Sequence, residues 1–180
     1  MKLTNYNKRA LTVAIIAVFI TGSGAYLLGN ISGYEAKDLI QASLPGINTL
    51  CNTIVLASAT ILALLLTLLS FSYGSESKLD KNHYKHILVI AKLDTILFVC
   101  SMIAFQIFNI PVTEATNVPA NWYSYIYYLS LGTSAILSGG LIGVVLMLYN
   151  AVSSIIKIVG LGITDHPLII KDTDEKEQNQ

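Results

Sequence analysis

The stretch HYKHILVIAKLDTILFVC, from His83 to Cys100, contains the features that decide the fold. Its apolar residues form a continuous run rather than an alternating pattern, which favours a membrane-spanning helix over a barrel strand. Two charged residues, Lys92 and Asp94, interrupt the run, and an uncharged stretch follows from Thr95 to Thr113. The whole segment is long enough for the roughly 20 residues that a helix needs to cross about 30 Å of hydrocarbon.

Three other uncharged stretches have a comparable or greater length, and only 12% of the 180 residues are charged. Globular chains carry about 25% charged residues. We therefore predict an all-α integral membrane protein with short loops and four transmembrane helices, at about 10–29, 47–71, 90–110 and 126–148. One transmembrane domain covers residues 1–165, and the polar tail 166–180 is expected to be disordered.

The basic residues predict the orientation. Three precede the first span, four lie in the region from the end of the second span to the first turn of the third, and three follow the fourth, which makes ten of the eleven. Only Lys37 falls on the other side. Because cytoplasmic loops are enriched in Lys and Arg, both termini are predicted to be cytoplasmic in a multi-pass plasma-membrane or inner-membrane protein. An even number of spans agrees with this.

The N-terminal segment allows an alternative. Lys2, Lys8 and Arg9, the apolar run 11–20 and the sequence Ser23-Gly24-Ala25 together have the pattern of a signal peptide. The apolar run continues through Leu28, which argues against cleavage. Cleavage would leave three spans.

The segment before the second span predicts a separate element. Ser32 and Glu35 have capping-box spacing, which predicts a short surface helix over about 33–43. Pro45 follows, and a proline is tolerated in the first turn of a helix. The second span is therefore expected to begin there.

A polar face runs along the second span. Its hydroxyl and amide side chains recur at steps of one, three and four: Thr49, Asn52, Thr53, Thr60, Thr67 and Ser70. Ile54, Ile61, Leu65 and Leu68 lie on the opposite face, which we expect to contact lipid. The polar face indicates either the wall of a water-filled pathway or a helix-packing surface, where interhelical hydrogen bonds contribute about 0.6–2 kcal/mol.

Glycines mark the fourth span as a packing helix. Gly132, Gly139 and Gly143 share one face, which is expected to pack on a helix of this chain or of a second copy. The segment 122–157 would be about 54 Å long at about 1.5 Å per residue. That exceeds the roughly 45 Å of a bilayer with its headgroups, so this long fourth helix is expected to extend toward the cytoplasm.

Charges on the third span separate by sign. Four lysines share one face and are expected to contact lipid headgroups: Lys78, Lys81, Lys85 and Lys92. Asp94 lies on the opposite face and is predicted to point into the bundle near the cytoplasmic boundary, in a polar cluster with Ser101 and Asn150. Thr67 and Ser70 are its other expected partners. Asp94 is either a structural hydrogen-bond acceptor or an ion or proton site.

The motifs of common catalytic and cofactor sites are missing from the sequence. We find no phosphate-binding loop, dinucleotide fingerprint, HExxH or nucleophile elbow. Cys51 and Cys100 have no metal-site spacing. We therefore predict no enzyme activity, no catalytic residue, no cofactor, no metal site and no nucleic-acid partner.

The functional hypothesis is a small, self-associating membrane protein whose copies form a channel or pathway for ions or small solutes, lined by the polar face of the second helix. Asp94, with Thr67, Ser70 and Asn150, would then form a gate at the cytoplasmic mouth. The alternative is a non-transporting scaffold or accessory subunit of a larger membrane complex. There, the same faces would bind another membrane protein. The lipid bilayer is a partner in both cases.

Overall fold

The computed structural model describes residues 5–27, 33–74, 81–111 and 119–157. These residues form four helices and no strand: α1 (Asn5–Leu27), α2 (Gly33–Gly74), α3 (Lys81–Phe108) and α4 (Ala120–Ile155). The all-α prediction is confirmed. Three segments, Glu35–Ser70, Tyr84–Phe108 and Trp122–Ile155, are long and apolar enough to cross a membrane. The side chains described for α1 run only from Lys8 to Gly24, and a fourth crossing stays a prediction.

Large apolar side chains cover the outside of the helices. Phe19 is 74% exposed, Leu88 69% and Leu129 62%, on three different helices. Soluble monomers rarely expose contiguous apolar surface of this kind, because water contact with it is unfavourable. Lipid tails remove that cost, so the surface agrees with a membrane protein.

Helix α2 is continuous through Pro45, so the prediction of a separate surface helix is wrong. Pro45 removes one backbone donor, but the helix before it is held by packing. Ala36 and Ile40 form a buried cluster with Tyr123 and Tyr127 of α4. The 42 residues of α2 are about 63 Å long at about 1.5 Å per residue, which is more than a bilayer with its headgroups.

Helices α2 and α3 pack along a seam of buried residues at alternating steps of three and four. The α2–α3 seam consists of Ile47, Cys51, Ile54, Ser58, Ile61 and Leu65 on α2, and Ile87, Ile90, Asp94, Leu97, Ser101, Ala104 and Phe108 on α3. This spacing is typical of knobs-into-holes packing. Two hydrogen bonds fix an antiparallel register: Ser101 Oγ to the Cys51 carbonyl oxygen (3.0 Å) and Asn48 Nδ2 to Asn109 Oδ1 (3.1 Å).

Helix α4 contacts both helices of the seam, whereas α1 packs against α4 alone among the described residues. A β-carbon added at Gly139 would meet Val18, and one added at Gly143 would meet Ala14. Helix α1 is therefore antiparallel to α4. The result is a core of α2, α3 and α4 with α1 attached outside. The start of α1, the end of α4 and the start of α3 lie at one end of the bundle.

The hydrogen bond between Asn48 and Asn109 is expected to stabilise the end of the seam. Asn48 Oδ1 is already buried without a partner among the described residues. Asn109→Ala would remove the acceptor of Asn48 Nδ2 and leave that amide nitrogen without a partner as well. We expect a loss of about 1 kcal/mol in the free energy of unfolding, measured in detergent. Gln106→Ala, which removes an exposed amide three residues earlier, in the last turn of α3, is the control. An equal effect of both substitutions would contradict a stabilising role.

Candidate functional site

The polar face of α2 is on the outside of the chain. Its six predicted members are all exposed: Thr49, Asn52, Thr53, Thr60, Thr67 and Ser70. The opposite face lies inside, where Ile54, Ile61 and Leu65 are buried and Leu68 packs partly buried against the core. The prediction that this apolar face contacts lipid is wrong. Within one chain, α2 turns its apolar face to the core and its polar face outward, where Leu56 and Leu66 are exposed as well.

Each hydroxyl of this face donates a hydrogen bond to the backbone carbonyl oxygen four residues before it. The donor-acceptor distances are 2.8 Å for Thr49 and Thr53, 2.9 Å for Thr60, and 3.0 Å for Thr67 and Ser70. A hydroxyl oxygen that donates in this way can still accept hydrogen bonds. The polar face therefore presents a row of acceptors whose own protons are already satisfied.

Asn52 differs from the hydroxyl residues of this face. Its side chain is exposed and makes no hydrogen bond to any residue in the described part of the chain. Asn52 follows Cys51, whose carbonyl oxygen accepts a hydrogen bond from Ser101 of α3. Asn52 therefore lies away from the ends of the bundle. An amide at this depth has two donors and one acceptor group without partners.

Asp94 is fully buried, as the separation of charges on α3 predicts, with 0% of its side chain exposed. It lies thirteen residues after Lys81 and fourteen before Phe108, at the middle of α3 rather than near its end. Ser58 of α2, also 0% exposed, faces it across the seam. Asp94 and Ser58 are close enough to interact, but no pair of their atoms has good hydrogen-bond geometry, and neither side chain has another partner among the described residues.

The predicted surroundings of Asp94 are wrong. Thr67 and Ser70 point away from the bundle, so they cannot form a gate with it. Ser101 is buried two turns further along α3 and donates to the Cys51 carbonyl oxygen instead. Asn150 is half-buried in the last third of α4 and makes no hydrogen bond to Asp94. The reason is the register of the seam, which places Ser58 opposite Asp94.

Sequence reasoning missed Ser58 and Cys51 as parts of the interior. A signal was present, because Cys51, Ile54, Ser58, Ile61 and Leu65 follow one another at steps of three and four. That repeat indicates a packed helix face. The neighbouring threonines instead favoured the other side of the helix as the functional face.

The remaining predicted residues occupy separate places. Gly139 and Gly143 contact α1, whereas Gly132 is exposed and a β-carbon there would meet no atom within 4 Å. Lys85 and Lys92 are exposed, on the side of α3 away from Asp94. Lys78 and the side chain of Lys81 lie outside the described residues.

Potential metal ligands and thiols are sparse in the described ranges. These ranges contain no group of three or more His, Cys, Asp or Glu side chains that could hold a metal ion. Both cysteines are free, with Cys51 buried and Cys100 exposed. Comparison with protein-family models, curated proteins and solved structures gave no match. The geometry of the polar face and of Asp94 is therefore the basis for a functional proposal.

Proposed function

We propose that this chain is a four-span membrane protein that self-associates through the polar face of α2 and forms a pathway for ions or small polar solutes. The observation that carries the proposal is the orientation of α2. Six polar side chains point outward over some twenty residues, while the apolar side of the same helix is buried in the core. A helix that contacts only lipid on its outer side gains nothing from such a face.

Asn52 provides the strongest reason for a second copy. A polar group without a hydrogen-bond partner in an apolar environment costs about 1–3 kcal/mol by mutational estimates. The same face of another copy would supply donors and acceptors at the same depth, because a two-fold interface brings identical surfaces together. Where the copies stand apart, the hydroxyl oxygens would face water and line the pathway.

The distribution of basic residues supports cytoplasmic termini. Lys8, Arg9, Lys85 and Lys157 are exposed at or toward the end of the bundle where α1 begins and α4 ends. Lys37 lies at the opposite end, with its Nζ atom 5.7 Å from the ring centre of Tyr123. By the positive-inside rule, the end with four basic residues would be cytoplasmic.

Flux through liposomes tests the pathway. Purified protein would be reconstituted, and the efflux of small cations, anions and neutral solutes measured. We expect Asn52→Leu and Thr60→Leu to lower the flux about tenfold or more, corresponding to about 1.4 kcal/mol in the barrier, and to weaken self-association. Thr95→Leu is the matched control, because Thr95 is an exposed threonine of α3 with the same type of backbone bond, 2.8 Å to the Ala91 carbonyl oxygen.

The result also separates the two functional classes. A monomer without flux of any tested solute would contradict the proposal. An oligomer that depends on Asn52 but conducts nothing would indicate the scaffold or accessory subunit instead.

A further inference from the structure

We propose that Asp94, with Ser58 opposite it, is a proton-binding site inside the α2–α3 seam of each single chain. The ligand is one exchangeable proton, held as the neutral carboxylic acid. This site is distinct from the pathway proposed between copies, since it lies on the buried face of α2 and the pathway lies on the exposed face.

Burial and the lack of partners carry the argument. Asp94 and Ser58 are both 0% exposed, and their side-chain oxygens have no hydrogen-bond partner in the described part of the chain. An ionised carboxylate that is buried and unpaired is far costlier than a neutral polar group, and proteins avoid it by neutralising the acid. A proton removes the charge without any change in the packing.

No basic side chain in the described ranges is placed to neutralise the carboxylate instead. Helix α2 carries no charged residue from Leu39 to Ser70, and α4 has no Asp, Glu, Lys, Arg or His between its ends. On α3 itself, Lys92 is exposed and points away, and His86 is half-buried more than two turns before Asp94. The remaining titratable group of the seam is the Cys51 thiol, seven residues from Ser58.

A metal ion fits this site less well than a proton. Asp94 and Ser58 offer three oxygen atoms, whereas Ca²⁺ takes six to eight oxygen ligands and structural Zn²⁺ takes four ligands, mainly nitrogen and sulfur. A protonated carboxyl group is a donor, and a serine hydroxyl can accept from it. When a base takes the proton, the same hydroxyl can donate to the carboxylate.

A polar side chain that is buried in the seam can still form a hydrogen bond. Two turns along α3, Ser101 is equally buried and donates to the Cys51 carbonyl oxygen at 3.0 Å. The open hydrogen-bonding capacity is therefore particular to Asp94 and Ser58, at the middle of α3. A proton is the smallest ligand that this position can gain and lose.

Reaction with dicyclohexylcarbodiimide tests the site. This apolar reagent adds to a protonated carboxyl group: the acid proton moves to a carbodiimide nitrogen, a carboxyl oxygen bonds to the central carbon, and the adduct rearranges to a stable N-acylurea. Wild-type protein in detergent micelles would be treated at neutral and alkaline pH, and the adduct located by peptide mass analysis. We expect an adduct on Asp94 that decreases as base withdraws the proton. Asp94→Asn should lose it.

Three further comparisons make the experiment specific. A water-soluble carbodiimide should label the exposed Glu35 and Asp38 in preference to Asp94. Ser58→Ala should move the half-point of labelling to more alkaline pH, because charge-assisted hydrogen bonds to a carboxylate are the stronger ones. Ser101→Ala should leave the half-point unchanged.

The outcomes do not depend on the pathway. Labelling reports on Asp94 within each chain, and flux reports on the pathway between copies. Asp94 can therefore be labelled in a protein that conducts no solute, and a conducting protein can lack the adduct. A folded protein that gives no Asp94 adduct at any pH, but gives one after unfolding, would overturn the proton site. An unmoved half-point in Ser58→Ala would remove Ser58 from it.

Discussion

Gly139→Leu is expected to push α1 off α4. A β-carbon at Gly139 would overlap the Val18 side chain and lie 2.9 Å from the Ala14 carbonyl oxygen. The oxygen belongs to the backbone of α1, so it cannot move unless the helix moves. Overpacking of a close contact costs about 1–3 kcal/mol for added methylene groups, and α1 has no other helix partner among the described residues to compensate.

Thermal unfolding in detergent measures this effect. Gly132→Leu is the matched control on the same helix, because a β-carbon there would meet no atom within 4 Å. If both variants behave alike, α1 is not held by the close contact at Gly139.

The double variant Ser58→Ala with Asp94→Leu is expected to be more stable than the wild type. Leucine has the same branching as aspartate, and the removed hydroxyl provides room for its methyl groups. Replacing buried polar partners by apolar groups of similar shape is often nearly neutral or stabilising. Here we expect a gain of about 1–3 kcal/mol, because a buried polar group without a well-formed hydrogen bond costs about that much.

Chemical or thermal unfolding of the two proteins in the same detergent measures the difference. Ser101→Ala is the contrasting variant, since it breaks an existing hydrogen bond and should lower the free energy of unfolding by about 0.5–1.5 kcal/mol. A double variant that is less stable than the wild type would mean that Asp94 or Ser58 supports the fold. Such a result would contradict the unpaired state.

The all-α fold and the inward orientation of the Asp94 side chain could be predicted from the sequence, because both depend on large free-energy differences. Long uncharged runs have to be helices in lipid, where every backbone group needs an internal partner. A carboxylate and a lysine on opposite sides of α3 can only be placed with the longer lysine side chain outward and the shorter acid inward. Asp94 is buried and Lys92 exposed, in agreement with this reasoning.

Hydrophobicity alone does not predict the inward face of α2. Lipid tails are as apolar as a helix interface, so hydrophobicity does not distinguish a buried isoleucine from one that contacts lipid. The shape of the seam decides instead, and Ile54 and Ile61 fit against α3 and α4. The predicted partner of Asp94 is wrong as well. Ser58 lies nine residues before Thr67, about 14 Å along α2 and on the opposite face of the helix, so the error in the face is also an error in the partner.

The peripheral position of α1 makes the chain a candidate for domain swapping. The surface around Gly139 and Gly143 contacts Ala14 and Val18 of α1, and the α1 of a neighbouring copy presents the same residues. An exchange would link two chains through an interface that already exists, which is a low-cost route to dimers. Because the chain's own α1 competes at a high effective concentration, the exchange depends on protein density in the membrane. Crowding in the bilayer would then favour a swapped dimer, in addition to the contact that we propose through the polar face of α2.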